Sequence, residues 1–333
     1  ALYQFKFQPV AWYITIGWIA FGLFLYYAIF EKRAAVFEPQ VILPGIQAVT
    51  EEGKTCIMVA LHNPDTVDIL LNIAIPVARR RSKPILAVTV VDVPRQMPIH
   101  EGMRFAHHKE PLLIRAKKIA AERKIDLSTQ LIIAHRPSDG ILASIEQHHA
   151  EALIMGWKGY TNAKDRIFGE IADRIIRFAT CDLMVLKIGE KLEMQRCLLP
   201  TSGGPNAKLA ASILSAINKE MKMTITAGYI IPENATPKQK VEGMRQMEAT
   251  LANLKPKGKC EKKLIEAKAI AGGIASASRD YDLVVIGAAK EPFFRKMLFG
   301  EIPEKVARFS PTSVLVVKKY EGLVKSILKK VLG

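Results

Sequence analysis

Residues 169–187 and 300–318 carry one segment twice: Gly-Glu-Ile, an Arg-Phe pair, then an apolar run that closes on lysine. Phe168/Phe299, Gly169/Gly300, Glu170/Glu301, Ile171/Ile302, Arg177/Arg308, Phe178/Phe309 and Lys187/Lys318 all match at one offset, 300 − 169 = 131. The same offset pairs Gly156 with Gly287, each closing an apolar run at 152–155 or 282–286. A buried strand therefore runs into a glycine-led turn twice. A unit this long exceeds the roughly 20–50 residue periods of solenoids, so two globular copies are expected.

At 333 residues the chain accommodates two ordinary domains. A net charge of +16 would suit nucleic acid. The basic residues are dispersed, however, and few aromatics lie beside them to stack on bases, so no nucleic-acid partner is expected. The other sink for positive charge is anionic membrane lipid. Residues 10–30 hold no charged side chain over 30 − 10 + 1 = 21 positions, enough for a helix to cross about 30 Å of hydrocarbon. Trp12 and Tyr13 stand near one end, Tyr26 and Tyr27 near the other, and Glu31, Lys32 and Arg33 follow at once. A signal peptide is disfavoured by the length and by the lack of a small-residue cleavage site; a buried core helix is the remaining competitor. The expectation is a transmembrane helix with its exit at 1–33, anchored in the cell membrane, with residues 34–333 cytoplasmic by the positive-inside rule. The chain starts with Ala rather than Met, which suggests the C-terminal part of a larger membrane protein.

Residues 34–53, with Pro39, Pro44 and Gly45, read as a linker. A first domain over 54–190 alternates strands near 56–61, 84–91, 131–134, 152–155 and 183–188 with helices near 65–81, 109–124, 140–149 and 169–178. A second domain over 194–320 repeats that order, with strands near 196–200, 223–231, 263–267, 283–286 and 313–317. Strands separated by helices predict an α/β fold in which each copy is a five-stranded parallel sheet covered on both faces.

These residues resemble the universal stress protein family, whose nucleotide loop after strand four reads G-x2-G-x9-G followed by Ser or Thr. Copy one has Gly156, Gly159 and Gly169 at the full spacing, then Glu170; copy two has Gly287 and Gly300, then Glu301, with Lys290 in place of the middle glycine. Glycines let the backbone turn sharply and offer N–H groups to phosphate at a helix N-terminus. The resemblance implies Rossmann-like domains, candidate nucleotide residues His62, Val91, Gly156, Gly159, Gly169, Glu170, Ser202, Gly287, Gly300 and Glu301, and an adenine nucleotide such as ATP as candidate ligand. It also implies pairing of the copies through their fifth strands, as family members dimerise, with a homodimer as a further expected partnership. Two departures weaken the nucleotide reading. A carboxylate replaces the hydroxyl in both loops and opposes an anion, and His62 and Ser202 stand where the family has an aspartate. Glu170 and Glu301 could instead serve only to stabilise the helix starts they occupy.

The Pro-x-Ala-Trp opening and Glu-Lys-Arg exit of the apolar stretch resemble the last membrane helix of amino acid-polyamine-cation (APC) permeases, some of which carry stress-protein domains after it. That resemblance implies a cytoplasmic regulatory module of an amino acid transporter, partnered by the remaining membrane helices. A membrane-tethered nucleotide-binding signalling protein and the cytoplasmic domain of a cation-chloride cotransporter relative are the rivals. Catalysis has no positive support: the chain has no G-x-S-x-G elbow and no P-loop. The pairs His107-His108 and His148-His149 lack the i, i+4 spacing of a helical metal site and read as solvated surface. Cys56, Cys181 and Cys197 sit at or beside apolar runs and, with Cys260, imply neither a disulfide framework nor zinc. Residues 321–333 form a basic amphipathic pattern suited either to the protein's own surface or to the inner leaflet.

Overall fold

Strand residues alternate between two apolar layers, and that alternation sets the architecture. The computed structural model describes residues 9–25, 41–42, 55–157, 169–189, 194–201, 204–254, 259–289, 298–320 and 322. In the first copy β2 (Ile57–Ala60), β3 (Ile85–Asp92), β4 (Leu127–Ala134), β5 (Ala152–Trp157) and β6 (Asp182–Lys187) alternate with α2 (Val67–Arg81), α3 (Glu110–Glu122), α4 (Pro137–Gln147) and α5 (Glu170–Phe178). The second copy has β7 (Arg196–Pro200), α6 (Pro205–Met221), β8 (Thr224–Ile231), α7 (Pro237–Leu254), β9 (Cys260–Glu266), α8 (Ile270–Ala277), β10 (Leu283–Gly287), α9 (Glu301–Phe309) and β11 (Ser313–Lys318).

Ile57, Val59, Ile154, Met184, Leu186, Leu283, Val285, Leu315 and Val317 fall in one layer with Leu70, Ile73 and Val77 of α2 and Ile213, Leu214 and Ile217 of α6. Their neighbours Met58, Leu153, Met155, Val185, Val284, Ile286, Val314 and Val316 fall in the other, with Ile145 of α4, Ile175 of α5, Ile274 of α8 and Val306 of α9. Side chains two apart share a face, so each strand feeds both layers and both faces must be covered by helices.

With β1 at Val41–Ile42, the strand order is β1-β4-β3-β2-β5-β6-β11-β10-β7-β8-β9 in a single sheet. Within each copy every pairing is parallel. The fifth strands meet antiparallel, Val314 opposite Lys187 and Lys318 opposite Leu183. The pairing expected from the resemblance is present. The picture of two separate five-stranded sheets needs correction, because backbone hydrogen bonding continues straight across the junction. An unpaired edge of apolar strands invites pairing, and each copy covers the other's. The residues read as linker also contribute: β1 (Val41–Ile42) pairs antiparallel with Ile133 and Ile132 of β4.

Repeat-related lysines tie the junction. Lys187 Nζ donates to the Ser310 carbonyl just past the end of α9, and lies 3.5 Å from the Thr312 carbonyl. Lys318 Nζ crosses the other way to the Ile176 carbonyl in the last turn of α5 at 3.1 Å, with the Phe299 ring 6.0 Å away. Each cation thus meets the negative end of the opposite copy's last helix. Arg79 of α2 adds a 2.5 Å ion pair to Glu220 of α6.

The N-terminal body contains α1 (Pro9–Leu25), 17 residues long, with Tyr13, Trp18 and Phe24 exposed. Among the described residues no helix is long and apolar enough to cross a membrane. The helix expected over 10–30 is described only to Leu25. The amphipathic pattern at 321–333 lies outside the described residues apart from Gly322.

Replacing Lys318 by Met should lower stability by about 1–3 kcal/mol, the worth of charge-assisted hydrogen bonds to carbonyls that would otherwise lose their donor. The check is the urea unfolding midpoint of the variant against wild type, where an unchanged midpoint contradicts the clamp.

Candidate functional site

In copy one the chain leaves β2 towards β3 on one side of the sheet, while β5 pairs on β2's other side. Strand order reverses there, and a crevice opens beyond the strand ends, the place where open α/β sheets take ligands. Its volume is about 1100 Å³, and its lining includes His62 after β2, Val91 at the end of β3, Gly156 on β5, and Gly169 and Glu170 at the start of α5. Five sequence-singled residues therefore converge. Gly159, in the loop between β5 and α5, lies outside the described residues, as does Ser202.

The two glycines do different work. Gly169 has φ +91°, a conformation that L side chains rarely adopt, and precedes the first turn of α5. Gly156 has room beside it among the described residues, where an added Cβ would come no closer than 3.7 Å, to Leu70 Cδ1. Thr89 on β3 is buried, lines the crevice, and its Oγ1 has no hydrogen-bond partner among the described residues. A buried hydroxyl without a partner costs free energy that a ligand could recover.

The walls are held by charge. Asp139, nearly buried in the first turn of α4, accepts from Arg174 Nε of α5 at 2.5 Å, with Arg136 Nη1 3.8 Å away. That pair fixes the N-termini of the two helices that frame the crevice. Asp68 of α2 takes a two-pronged contact from Arg115 of α3 at 2.8 and 2.6 Å, which holds its carboxyl below the usual range. The connection between β3 and α3, a 3-10 segment over Ile99–His108, brings Phe105 and His108 to the crevice, and Arg95, Lys109, His135 and Arg136 complete its basic rim. Sequence reading passed over these rim residues, which belong to no local motif. The basic character of the β3–α3 connection was the available signal.

Copy two has the same turn and a different environment. Gly300 repeats Gly169 with φ +95°. At Gly287, however, an added Cβ would stand 2.5 Å from the Asn206 carbonyl carbon and 2.8 Å from Ala207 N. Asn206 fills the turn: its Nδ2 donates to Ala288 O at 2.7 Å, and its Oδ1 accepts from Lys319 N at 2.9 Å. Glu304, 4% exposed, accepts from the amides of Leu298 and Phe299 at 2.5 and 2.9 Å. Its carboxylate thus takes backbone N–H groups just ahead of the glycine turn. Glu301 forms a 2.6 Å ion pair with Lys305.

Other candidate chemistry is absorbed by packing. Burial pushes the Cys56 and Cys181 thiols up to about 12, aided by Glu151 and Asp182 respectively, and burial also raises Cys197; such thiols are not nucleophiles near neutrality. His148 corrects the solvated-surface expectation: it is half-buried, and burial, then His149, lowers its pKa. His108 is exposed, as expected, and stands at the mouth of the crevice. Among the described residues no cluster of His, Cys, Asp and Glu could hold a metal ion.

The universal stress protein family matches residues 55–187 and 193–318, and the chain belongs to that family, in tandem. The Na(+)/H(+) antiporter NhaS5 of Synechocystis sp. (strain ATCC 27184 / PCC 6803 / Kazusa) is 22% identical over 255 residues, covering 76% of this chain and 36% of the antiporter. The universal stress protein MJ0531 of Methanocaldococcus jannaschii is 29% identical over 79 residues, 24% of this chain and 46% of that protein. The chain thus spans less than half the length of either relative. A universal stress protein from Archaeoglobus fulgidus DSM 4304 shares the fold at TM-score 0.55 and 14% identity, over 79% of this chain and 98% of its own. The cytoplasmic domain of a prokaryotic cation chloride cotransporter does so at TM-score 0.52 and 13% identity, over 83% and 100%.

Alanine should separate the two glycine turns. Gly287→Ala is expected to cost about 1–3 kcal/mol, because its methyl group meets backbone that cannot swing away, whereas Gly156→Ala should stay within about 0.5 kcal/mol of wild type. Denaturant midpoints of both variants check this, and equal midpoints would remove the asymmetry.

Proposed function

We propose that this chain is the non-catalytic, cytoplasmic regulatory module of a membrane transport protein, with copy one as receptor for a phosphate-bearing ligand such as ATP and copy two as its scaffold. The observation that carries the transport reading is the 255-residue similarity to an antiporter, which covers 76% of the chain and so exceeds the length of one copy. The likeness to a cotransporter's cytoplasmic domain fits the same reading at the level of fold. A cation transporter is favoured over an amino acid permease, since only the helix at the N-terminus supports the latter.

The receptor reading is supported by the open Gly156 turn, the Gly169 helix start and the unpartnered Thr89 hydroxyl, all bordering one crevice. An adenine nucleotide would lie with its phosphates towards Gly156 and Gly169 and its apolar part towards Val91. Glu170 is the misfit. It accepts hydrogen bonds only and repels the anion, although its exposure screens that effect. The crowding of Gly287 by Asn206 speaks against a second receptor in copy two.

Calorimetry should find ATP binding weaker than micromolar in the wild type and tighter by about three- to tenfold in Glu170→Ser, where a repulsion of up to about 1 kcal/mol is exchanged for a donor. Sub-micromolar wild-type affinity, or no gain in the variant, would contradict the role given to the carboxylate. Anchoring is tested by alkaline carbonate extraction of expressing membranes: the full chain should stay with the lipid and a chain starting at residue 54 should be released. Release of the full chain would remove the membrane reading.

A further inference from the structure

We propose that anion binding in the copy-one crevice is coupled to proton uptake at His62, so that the module reads ligand and pH together; this rests on the receptor reading above. Lys109 Nζ lies 3.5 Å from His62 Nδ1 and 3.4 Å from the His62 carbonyl oxygen. An ammonium has only protons to offer, so the ring nitrogen facing it presents a lone pair. His62 is then neutral, with its proton on Nε2. Protonating Nδ1 without an anion present sets two cations against each other at that distance, which disfavours the charged ring. An anionic phosphate beside both removes the opposition, because one anion accepts from both donors.

The surroundings push in the same direction. Among the described residues, the crevice lining contains the cations Arg95, Lys109 and Arg136 and the carboxylates of Asp92 and Glu170. Two more imidazoles, His108 and His135, share the lining with His62. His135 Nδ1 stands 3.0 Å from the Val93 carbonyl and so carries its proton there, leaving Nε2 an acceptor while the ring is neutral. Asp65 and Glu110 flank His62 and Lys109 along the chain, and Asp68 is committed to Arg115. Imidazole side chains as a class change charge in the range of about pH 5–8, which is the range the test below spans. The sign follows: a bound anion raises the proton affinity of His62, binding takes up a proton, and affinity rises with acidity.

The test is isothermal titration of the full chain with ATP and with inorganic triphosphate at pH 8 and pH 6, in two buffers of different ionisation enthalpy, for wild type and His62→Gln. The ligand's own protonation is common to both proteins and cancels in the comparison. Wild type should gain about tenfold more affinity than the variant between the two pH values, equivalent to about one unit of pKa displacement, and should take up more protons. Lys109→Met, which removes the opposing cation, should also reduce proton uptake. Binding with superimposable pH profiles in wild type and His62→Gln overturns the coupling and leaves the receptor reading standing. Absence of binding by either ligand at both pH values overturns both.

Discussion

The antiparallel pairing of β6 with β11 is the contact on which the rest of the molecule depends. A five-stranded parallel sheet ending on a strand with an apolar centre leaves a row of unsatisfied backbone groups and two half-covered apolar layers. Joining two such edges satisfies both rows at once. It also merges the layers, so that Leu186 and Leu315 share one apolar cluster while Val185 and Val316 share the other. Lys187 and Lys318 then cross to the opposite copy's carbonyls, which one copy by itself could not provide. The fifth-strand edges are thereby occupied within the chain.

That union frees the copies to diverge. With the junction shared, the corresponding turns of the two copies pack differently. Asn206 and Glu304 turn this region of copy two into a filled corner: the amide side chain takes the Ala288 carbonyl beside the turn and the Lys319 amide just past β11, and the carboxylate takes the amides ahead of the helix. The first turn keeps its room, and Asp139 with Arg174 braces the helices around it. The repeat is close in backbone and unequal in chemistry.

Tandem organisation, element order and the register of the copies were legible in the chain because they arise from local patterns. Apolar runs of strand length recur at a fixed spacing, and Gly169 and Gly300 stand where a positive φ is required. Element ends moved by a few residues: β4 begins at Leu127 rather than near residue 131, since its first half carries Ser128, Thr129 and Gln130, which disguise a strand whose burial is set by neighbours. The 3-10 segment over Ile99–His108 was missed for the same reason. Its place is fixed by Gly102, which packs against Ile133 and Val93 rather than by any periodicity of its own.

What the sequence by itself determined is the family, the doubling and the glycine spacing, because backbone conformation and burial period are encoded within short windows. Tertiary structure alone decided which copy is open. Lys290 in place of the middle glycine sets copy two apart in the chain, but Gly156 and Gly287 are themselves identical residues at repeat-related positions, and nothing local to them foretells that backbone crowds one and not the other. The difference is made by Asn206, 81 positions before Gly287 in the chain (287 − 206 = 81), whose backbone is brought against that turn only when α6 settles on the sheet. The His62–Lys109 contact has the same origin, since those residues lie 47 positions apart and meet because α3 packs beside α2. Long-range packing sets the room and the charge of a crevice, and a local pattern cannot carry that information.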